Sequence, residues 1–107
     1  EEAPPEAVEA PVAPEAGEVS FFVKPWAVIY LDGVEQGGLQ RPAAPYTLSG
    51  GEHTLRMVCD HDGCPEAGRE QVFRLWVDGD TLQVNGRPVT SDQNWFCWDF
   101  RAATRCD

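Results

Sequence analysis

Apolar and polar side chains alternate with a period of two along much of this 107-residue chain, the pattern of half-buried β-strands. Segments 53–59 and 71–77 show the alternation most clearly. Their apolar faces comprise Leu55, Met57 and Cys59 in the first segment and Phe73, Leu75 and Val77 in the second. No stretch shows the period of an amphipathic helix. The pattern therefore predicts an all-β protein.

Turn signals separate the predicted strands. They are Asp32-Gly33, Ser49-Gly50-Gly51, Asp78-Gly79 and Asn85-Gly86, the last of these a strong hairpin signal. Many short strands with turn residues between them are typical of a sandwich or barrel. We therefore predict a small antiparallel β-sandwich, Ig-like or transthyretin-like, over residues 19–107.

The first 18 residues differ in composition from the rest. They contain six Glu, five Ala and four Pro, with no basic and no aromatic residue. Such a segment cannot bury enough apolar surface to offset the entropy cost of ordering. Repeated Pro and mutually repelling Glu predict an extended, acidic linker over residues 1–18. Because the chain begins without Met, we expect it to continue upstream into a parent protein that carries the anchor or export signal.

The chain is strongly acidic, with a formal net charge of −10 at pH 7. This charge disfavours binding to nucleic acid and to anionic membrane surfaces, because both are themselves negative. No apolar run approaches the length of a membrane span, so direct insertion of this segment into a membrane is not expected.

Two blocks of the sequence resemble the bacterial PEGA domain. Residues 23–37 read VKPWAVIYLDGVEQG, with a proline corner, a strand, an Asp-Gly turn and a further glycine. Residues 48–57 read LSGGEHTLRM, which is similar to the L-x-x-G-x-H turn and strand of that family. The corner is shortened to Pro25-Trp26-Ala27, and residues 37–42 depart from the usual Gly-x-Thr-Pro.

PEGA domains are small β-sandwich modules of bacterial surface proteins, lipoproteins and the extracytoplasmic ends of membrane Ser/Thr kinases. They carry no catalytic residues. The resemblance therefore implies a non-catalytic, extracytoplasmic module, on the cell surface or in the periplasm, at the C-terminus of a larger surface or membrane protein. It implies no cofactor.

The four cysteines are Cys59, Cys64, Cys97 and Cys106, with no C-x-x-C pair among them. In a small domain of an oxidising compartment this number predicts two disulfides. Of the three connectivities, we favour Cys59–Cys64 and Cys97–Cys106, which close short loops. A cross-strand Cys59–Cys97 bridge is the rival.

The segment Cys59-Asp60-His61-Asp62-Gly63-Cys64 allows a second interpretation. As free thiols, Cys59 and Cys64 with His61 would suit zinc or copper. The Asp-x-Asp-Gly order also resembles the start of a calcium loop, although Arg69 stands where that loop needs its Glu. A disulfide-closed polar turn is the favoured reading, so no metal is expected.

Aromatic residues provide the candidate binding surface. On the last predicted strand Trp95, Cys97 and Asp99 share one face, and Phe96, Trp98 and Phe100 share the other. Exposed Trp beside polar residues is typical of surfaces that bind sugars or peptides. The candidate surface is Trp76, Trp95, Arg74 and Asp99, with a cell-surface glycan, a peptide or a partner protein as its ligand. The alternative is that these rings belong to the core.

Catalytic motifs are absent from the sequence, which contains no G-x-S-x-G, H-E-x-x-H or phosphate-binding loop. We therefore expect no enzymatic activity. Two function classes remain: a structural module that presents the end of a larger protein, and a recognition module that uses its aromatic face.

Overall fold

The computed structural model of the protein describes residues 13–40, 42, 44–65, 69–89 and 94–106. Ten β-strands lie in these residues. They are β1 (Gly17–Lys24), β2 (Ala27–Leu31), β3 (Val34–Leu39), β4 (Tyr46–Leu48), β5 (Gly51–Val58), β6 (Glu70–Asp78), β7 (Thr81–Val84), β8 (Arg87–Pro88), β9 (Trp95–Asp99) and β10 (Thr104–Arg105). The described part of the chain has no helix, and so none that could span a membrane. The all-β prediction is confirmed.

Two sheets form the sandwich. One has four strands in the order β10-β9-β1-β4, and the other has six in the order β3-β2-β5-β6-β7-β8. Neighbouring strands are antiparallel except β9, which pairs in parallel with β1. The predicted antiparallel β-sandwich is confirmed, and this one parallel pair is an addition that the sequence did not indicate. The chain enters β9 from the other sheet rather than through a hairpin, so no tight turn forces the two strands to run in opposite directions.

The first strand begins before the predicted domain boundary. β1 starts at Gly17, and both Gly17 and Glu18 pair with β4 although we assigned them to the linker. Backbone pairing needs no apolar side chain, which explains why the composition gave no signal here. The rest of the predicted linker up to residue 12 lies outside the described residues.

The core is built from the inner faces of both sheets. Phe73 of β6 meets Phe96 of β9 edge to face, with ring centroids 4.8 Å apart, and meets Trp98 at 5.2 Å. Phe21, Phe96 and Phe100 are fully buried. The face of β9 that carries Phe96 is therefore the core face, and the Trp95 face points away from it.

Two disulfides close the described structure. They join Cys59 to Cys64 and Cys97 to Cys106, the connectivity favoured from the sequence. No free cysteine remains. The second bridge holds β10 against β9, where Cys106 also donates a backbone hydrogen bond to the Cys97 carbonyl. Disulfides of this kind indicate an oxidising compartment.

Candidate functional site

The two ends of the sandwich carry different groups. β5 runs from Gly51, which follows turn 49–50, to Val58, which leads into loop 59–64. At about 3.3 Å per residue, these ends of β5 lie roughly 25 Å apart. We call the end with turns 32–33, 49–50 and 79–80 the linker end, and the end with Trp26 and loop 59–64 the distal end.

The linker end holds the segment that precedes β1. The Glu15 amide donates to Asp78 Oδ1 at 3.1 Å, and the Gly79 amide donates to the Glu15 carbonyl at 2.9 Å. The Pro14 carbonyl lies so close to Gly50 that a Cβ there would meet it at 2.1 Å. The chain therefore enters the sandwich along a fixed path between turns 49–50 and 79–80.

Three side chains at the linker end form a hydrogen-bonded Asp–His–Ser group that was not predicted from the sequence. Asp32 Oδ2 is 2.5 Å from His53 Nδ1, and Ser49 Oγ is 3.3 Å from His53 Nε2. Asp32, at a φ of 52°, also accepts the Thr54 amide hydrogen on Oδ1 at 2.8 Å. Asp32 and His53 lie in the two PEGA-like blocks, but nothing in the sequence showed that they touch.

The contacts run from Asp to His to Ser, as in a catalytic triad, but the hydrogen bonds of the histidine differ from those of a triad. His53 Nε2 is 2.8 Å from the Ser49 carbonyl oxygen, which can only accept. Because the Asp32 carboxylate is also an acceptor, both contacts are satisfied as hydrogen bonds when each ring nitrogen of His53 donates, as in the imidazolium. A general base needs a free lone pair on Nε2 to take the serine proton. The geometry therefore supports a structural role, in which Asp32, His53 and Ser49 hold turns 32–33 and 49–50 together. We call these three residues the clamp.

The clamp shifts the pKa values of both ionisable partners. Burial alone would lower the pKa of His53, but hydrogen bonds to the Asp32 carboxylate and the Ser49 carbonyl, with the charge of Asp32, outweigh it and raise the pKa. Burial would raise the pKa of Asp32, yet its bonds to His53 and to the Thr54 amide lower it overall. Each partner thus favours the charged form of the other.

The distal end presents an aromatic pair. The rings of Trp26 and His61 stack with centroids 4.0 Å apart and an interplanar angle of 2°, and Trp26 remains 41% exposed. Gly63 donates its amide hydrogen to His61 Nδ1 at 3.1 Å, which places the ring proton on Nε2, where it is donated to the Trp26 carbonyl at 3.0 Å. The contact between Trp26 and His61 was not predicted from the sequence.

A glycine makes room for this aromatic pair. A Cβ on Gly38 of β3 would lie 2.8 Å from Cζ3 of Trp26. β3 pairs with β2 next to the indole, with Gly38 opposite Val28. The glycine-rich stretch that begins at residue 37 is therefore partly edge strand, and the indole lies over it.

The alternative metal ligands lie together, but in disulfide form. The donor atoms of Cys59, His61 and Cys64 are all within 4.8 Å of one another. Cys59 and Cys64 are bonded to each other, so neither offers a thiolate in this state. The oxidised loop is the disulfide-closed turn favoured from the sequence.

The four predicted binding residues do not form one surface. Arg74 and Trp76 are exposed on the outer face of the six-stranded sheet, where Arg74 Nη1 is 3.5 Å from the Glu52 carboxylate. Trp95 and Asp99 lie on the outer face of the four-stranded sheet, and both are half-buried. Alternation assigns each side chain to a face of its own strand, but it cannot tell which sheet that strand joins.

Asp99 has a local structural role. Its Oδ1 accepts the Arg101 amide hydrogen at 2.9 Å and so stabilises the turn after β9. The single-surface grouping of Trp76, Trp95, Arg74 and Asp99 is therefore corrected to two separate pairs, of which Arg74 and Trp76 are the exposed one.

The outer face of the six-stranded sheet combines cationic, acidic and apolar groups. The Arg56 guanidinium lies 4.8 Å above the Tyr30 ring, and its Nε is 2.5 Å from the Glu70 carboxylate. Val72 and Trp76 are 54% and 42% exposed on the same face. This mixture is what an aromatic recognition surface uses.

Comparison of this chain with models of protein families, with curated proteins and with solved structures finds no match.

Proposed function

We propose that this chain is a non-catalytic, extracytoplasmic presentation module of PEGA-like design. The two-sheet body holds the incoming acidic segment at its linker end and directs its distal end, with Trp26 and loop 59–64, away from the point of attachment.

The path of residues 14–17 carries this proposal. The Glu15 amide donates to the Asp78 side chain and the Glu15 carbonyl accepts from the Gly79 amide. Together with the contact of Pro14 with Gly50, these bonds fix the incoming chain before β1 begins. A flexible attachment would leave the module free to point in any direction. A docked one couples the orientation of the module to that of the segment before it, as presentation requires.

The location rests on the two disulfides and on the PEGA resemblance. Disulfides persist in secreted and periplasmic proteins and are rare in reducing compartments. The Asp32–His53 clamp supports the PEGA resemblance, because it joins turns from both PEGA-like blocks and gives these two residues a shared structural role.

Loosening the docked segment is the direct test. We expect Gly50→Ala to displace the Pro14 backbone, because the new Cβ would meet the Pro14 carbonyl. Asp78→Ala removes the acceptor of the Glu15 amide. Each change should speed cleavage after Glu15 by a Glu-specific protease by about three- to tenfold, the equivalent of roughly one hydrogen bond.

Asp80→Ala is the control, since it removes a neighbouring acid of the same charge and should leave the cleavage rate unchanged. Circular dichroism monitors the fold of each variant. Cleavage after Glu15 that is as fast in the unaltered chain as in Gly50→Ala and Asp78→Ala would contradict docking and, with it, rigid presentation.

Recognition is the second candidate function, and the exposure of Trp76 beside Arg74 favours it. Peptidoglycan fragments and soluble cell-surface polysaccharides are suitable first ligands for an NMR titration. If the module recognises one of them through this face, Trp76→Ala weakens binding and Trp95→Ala does not.

A further inference from the structure

Loop 59–64 at the distal end brings together donors that suit a soft metal ion. The nitrogen and two sulfurs of His61, Cys59 and Cys64 lie within 4.8 Å of one another, and His61 Nε2 is 3.6 Å from Cys59 Sγ. We infer that opening the Cys59–Cys64 disulfide with a dithiol reductant creates a three-ligand site for copper(I). This site lies outside the presentation role and does not depend on it.

The redox step is a thiol–disulfide exchange. One thiolate of the dithiol attacks Cys64, which is half-buried, rather than Cys59, which is fully buried. The Cys59 sulfur leaves as a thiolate, and the second thiol of the reductant then releases Cys64. Two electrons and two protons pass from the dithiol to the two cysteines, and the reductant ends as a disulfide.

Copper(I) then replaces the two thiol protons, which are released to solvent. Thiolate and imidazole donors suit copper(I) and zinc. A structural zinc site uses four protein ligands. Among the described residues the cluster offers three, which matches the low coordination numbers that copper(I) accepts. The Trp26 ring covers one face of His61 and shields that side of the site from water.

Backbone contacts position the loop independently of the disulfide. The Cys59 amide donates to the Arg69 carbonyl at 2.6 Å, and the Cys64 amide donates to the His61 carbonyl at 3.0 Å. The donors therefore remain close after reduction. Coordination through Nε2 moves the ring proton to Nδ1, which ends the hydrogen bonds of His61 with the Trp26 carbonyl and the Gly63 amide.

The test is a competition titration of the whole chain, kept under dithiol, with copper(I) against a chromophoric chelator. We expect one tightly bound copper(I) in the reduced wild type and in Cys97→Ser/Cys106→Ser. We expect no copper(I) binding of comparable affinity in Cys59→Ser/Cys64→Ser or in the unreduced chain. These two double variants are matched, because each removes one disulfide.

His61→Asn tests the third ligand, since its amide oxygen can still accept the Gly63 amide hydrogen. We expect it to weaken copper(I) binding by at least about tenfold. Tryptophan fluorescence should change on binding in the wild type and much less in Trp26→Phe, because Trp26 stacks on the ligand.

Two results overturn the three-ligand site, and a third overturns the choice of copper(I). One is a copper(I) affinity in His61→Asn equal to that of the wild type, which is also what a chain unfolded by reduction would give. The other is equal binding by Cys59→Ser/Cys64→Ser. A parallel titration with zinc that proves tighter than copper(I) contradicts the choice of metal.

Discussion

Phe96→Ala is expected to lower the free energy of unfolding by about 3–5 kcal/mol, a cost typical of removing a large buried ring. Phe96 is fully buried in β9 and meets Phe73 of the other sheet edge to face. Its loss leaves a cavity where the two sheets meet, and the disulfide-held β9 cannot collapse far to fill it. Urea denaturation followed by circular dichroism measures the cost.

Trp95→Ala is the matched control for Phe96→Ala, because it removes an aromatic ring from the adjacent position of the same strand. Trp95 is half-buried on the outer face and does not belong to the inter-sheet core. We expect its cost to be less than half that of Phe96→Ala. If Trp95→Ala proves the more destabilising, β9 is inverted and the Trp95 face is the core.

His53→Gln is expected to lower the free energy of unfolding by about 1–2 kcal/mol at pH 6, the range of a hydrogen bond to a charged group reduced for the exposure of Asp32. The His53 side chain is 10% exposed and that of Asp32 47%, so solvent screens part of the attraction. Glutamine can donate to only one of the two acceptors that the imidazolium bridges. Turns 32–33 and 49–50 then lose one of their links.

The same pair sets a pH dependence. The pKa of His53 is raised in the folded protein above its ordinary value of 6.5, so its contribution is complete below pH 6.5 and is lost as the pH rises through the raised pKa. The pKa of Asp32 is lowered from 3.8, so its contribution is present above pH 3.8 and is lost as the pH falls through the lowered pKa. The contribution of the clamp to the free energy of unfolding is therefore greatest between pH 3.8 and pH 6.5.

Urea midpoints measured from about pH 6 to pH 9 test this dependence. The difference in stability between wild type and His53→Gln should shrink as the pH rises. Subtracting the two profiles isolates the contribution of His53, because the rest of the chain is the same in both proteins. A difference that is constant over this range would mean that His53 is neutral in the folded protein, and the imidazolium clamp would be wrong.

The sequence predicted those features that depend on one strand or one loop. Alternation placed Leu55 and Phe73 on buried faces, and the structure confirms both. The short spacing of Cys59 and Cys64 favoured the pairing that the structure contains. Such features are local, because the period of a strand and the length of a loop are read from neighbouring residues.

Features that depend on how distant strands meet could not be read in the same way. Trp76 and Trp95 looked alike in the sequence, but their strands belong to different sheets and their rings face opposite sides of the sandwich. The clamp between Asp32 and His53 joins residues 21 positions apart, and the stack of Trp26 on His61 joins residues 35 positions apart. One sequence shows that each of these residues is present but not which of them touch.

The claim that this module carries two disulfides and suits an oxidising compartment is decided by the intact mass of the protein after export to a periplasm. We expect a non-reduced mass four hydrogens below that of the tetrathiol, since each of two disulfides removes two. We also expect no reaction with iodoacetamide, and peptide maps that link Cys59 to Cys64 and Cys97 to Cys106. Four alkylated thiols in the folded, exported protein would contradict it.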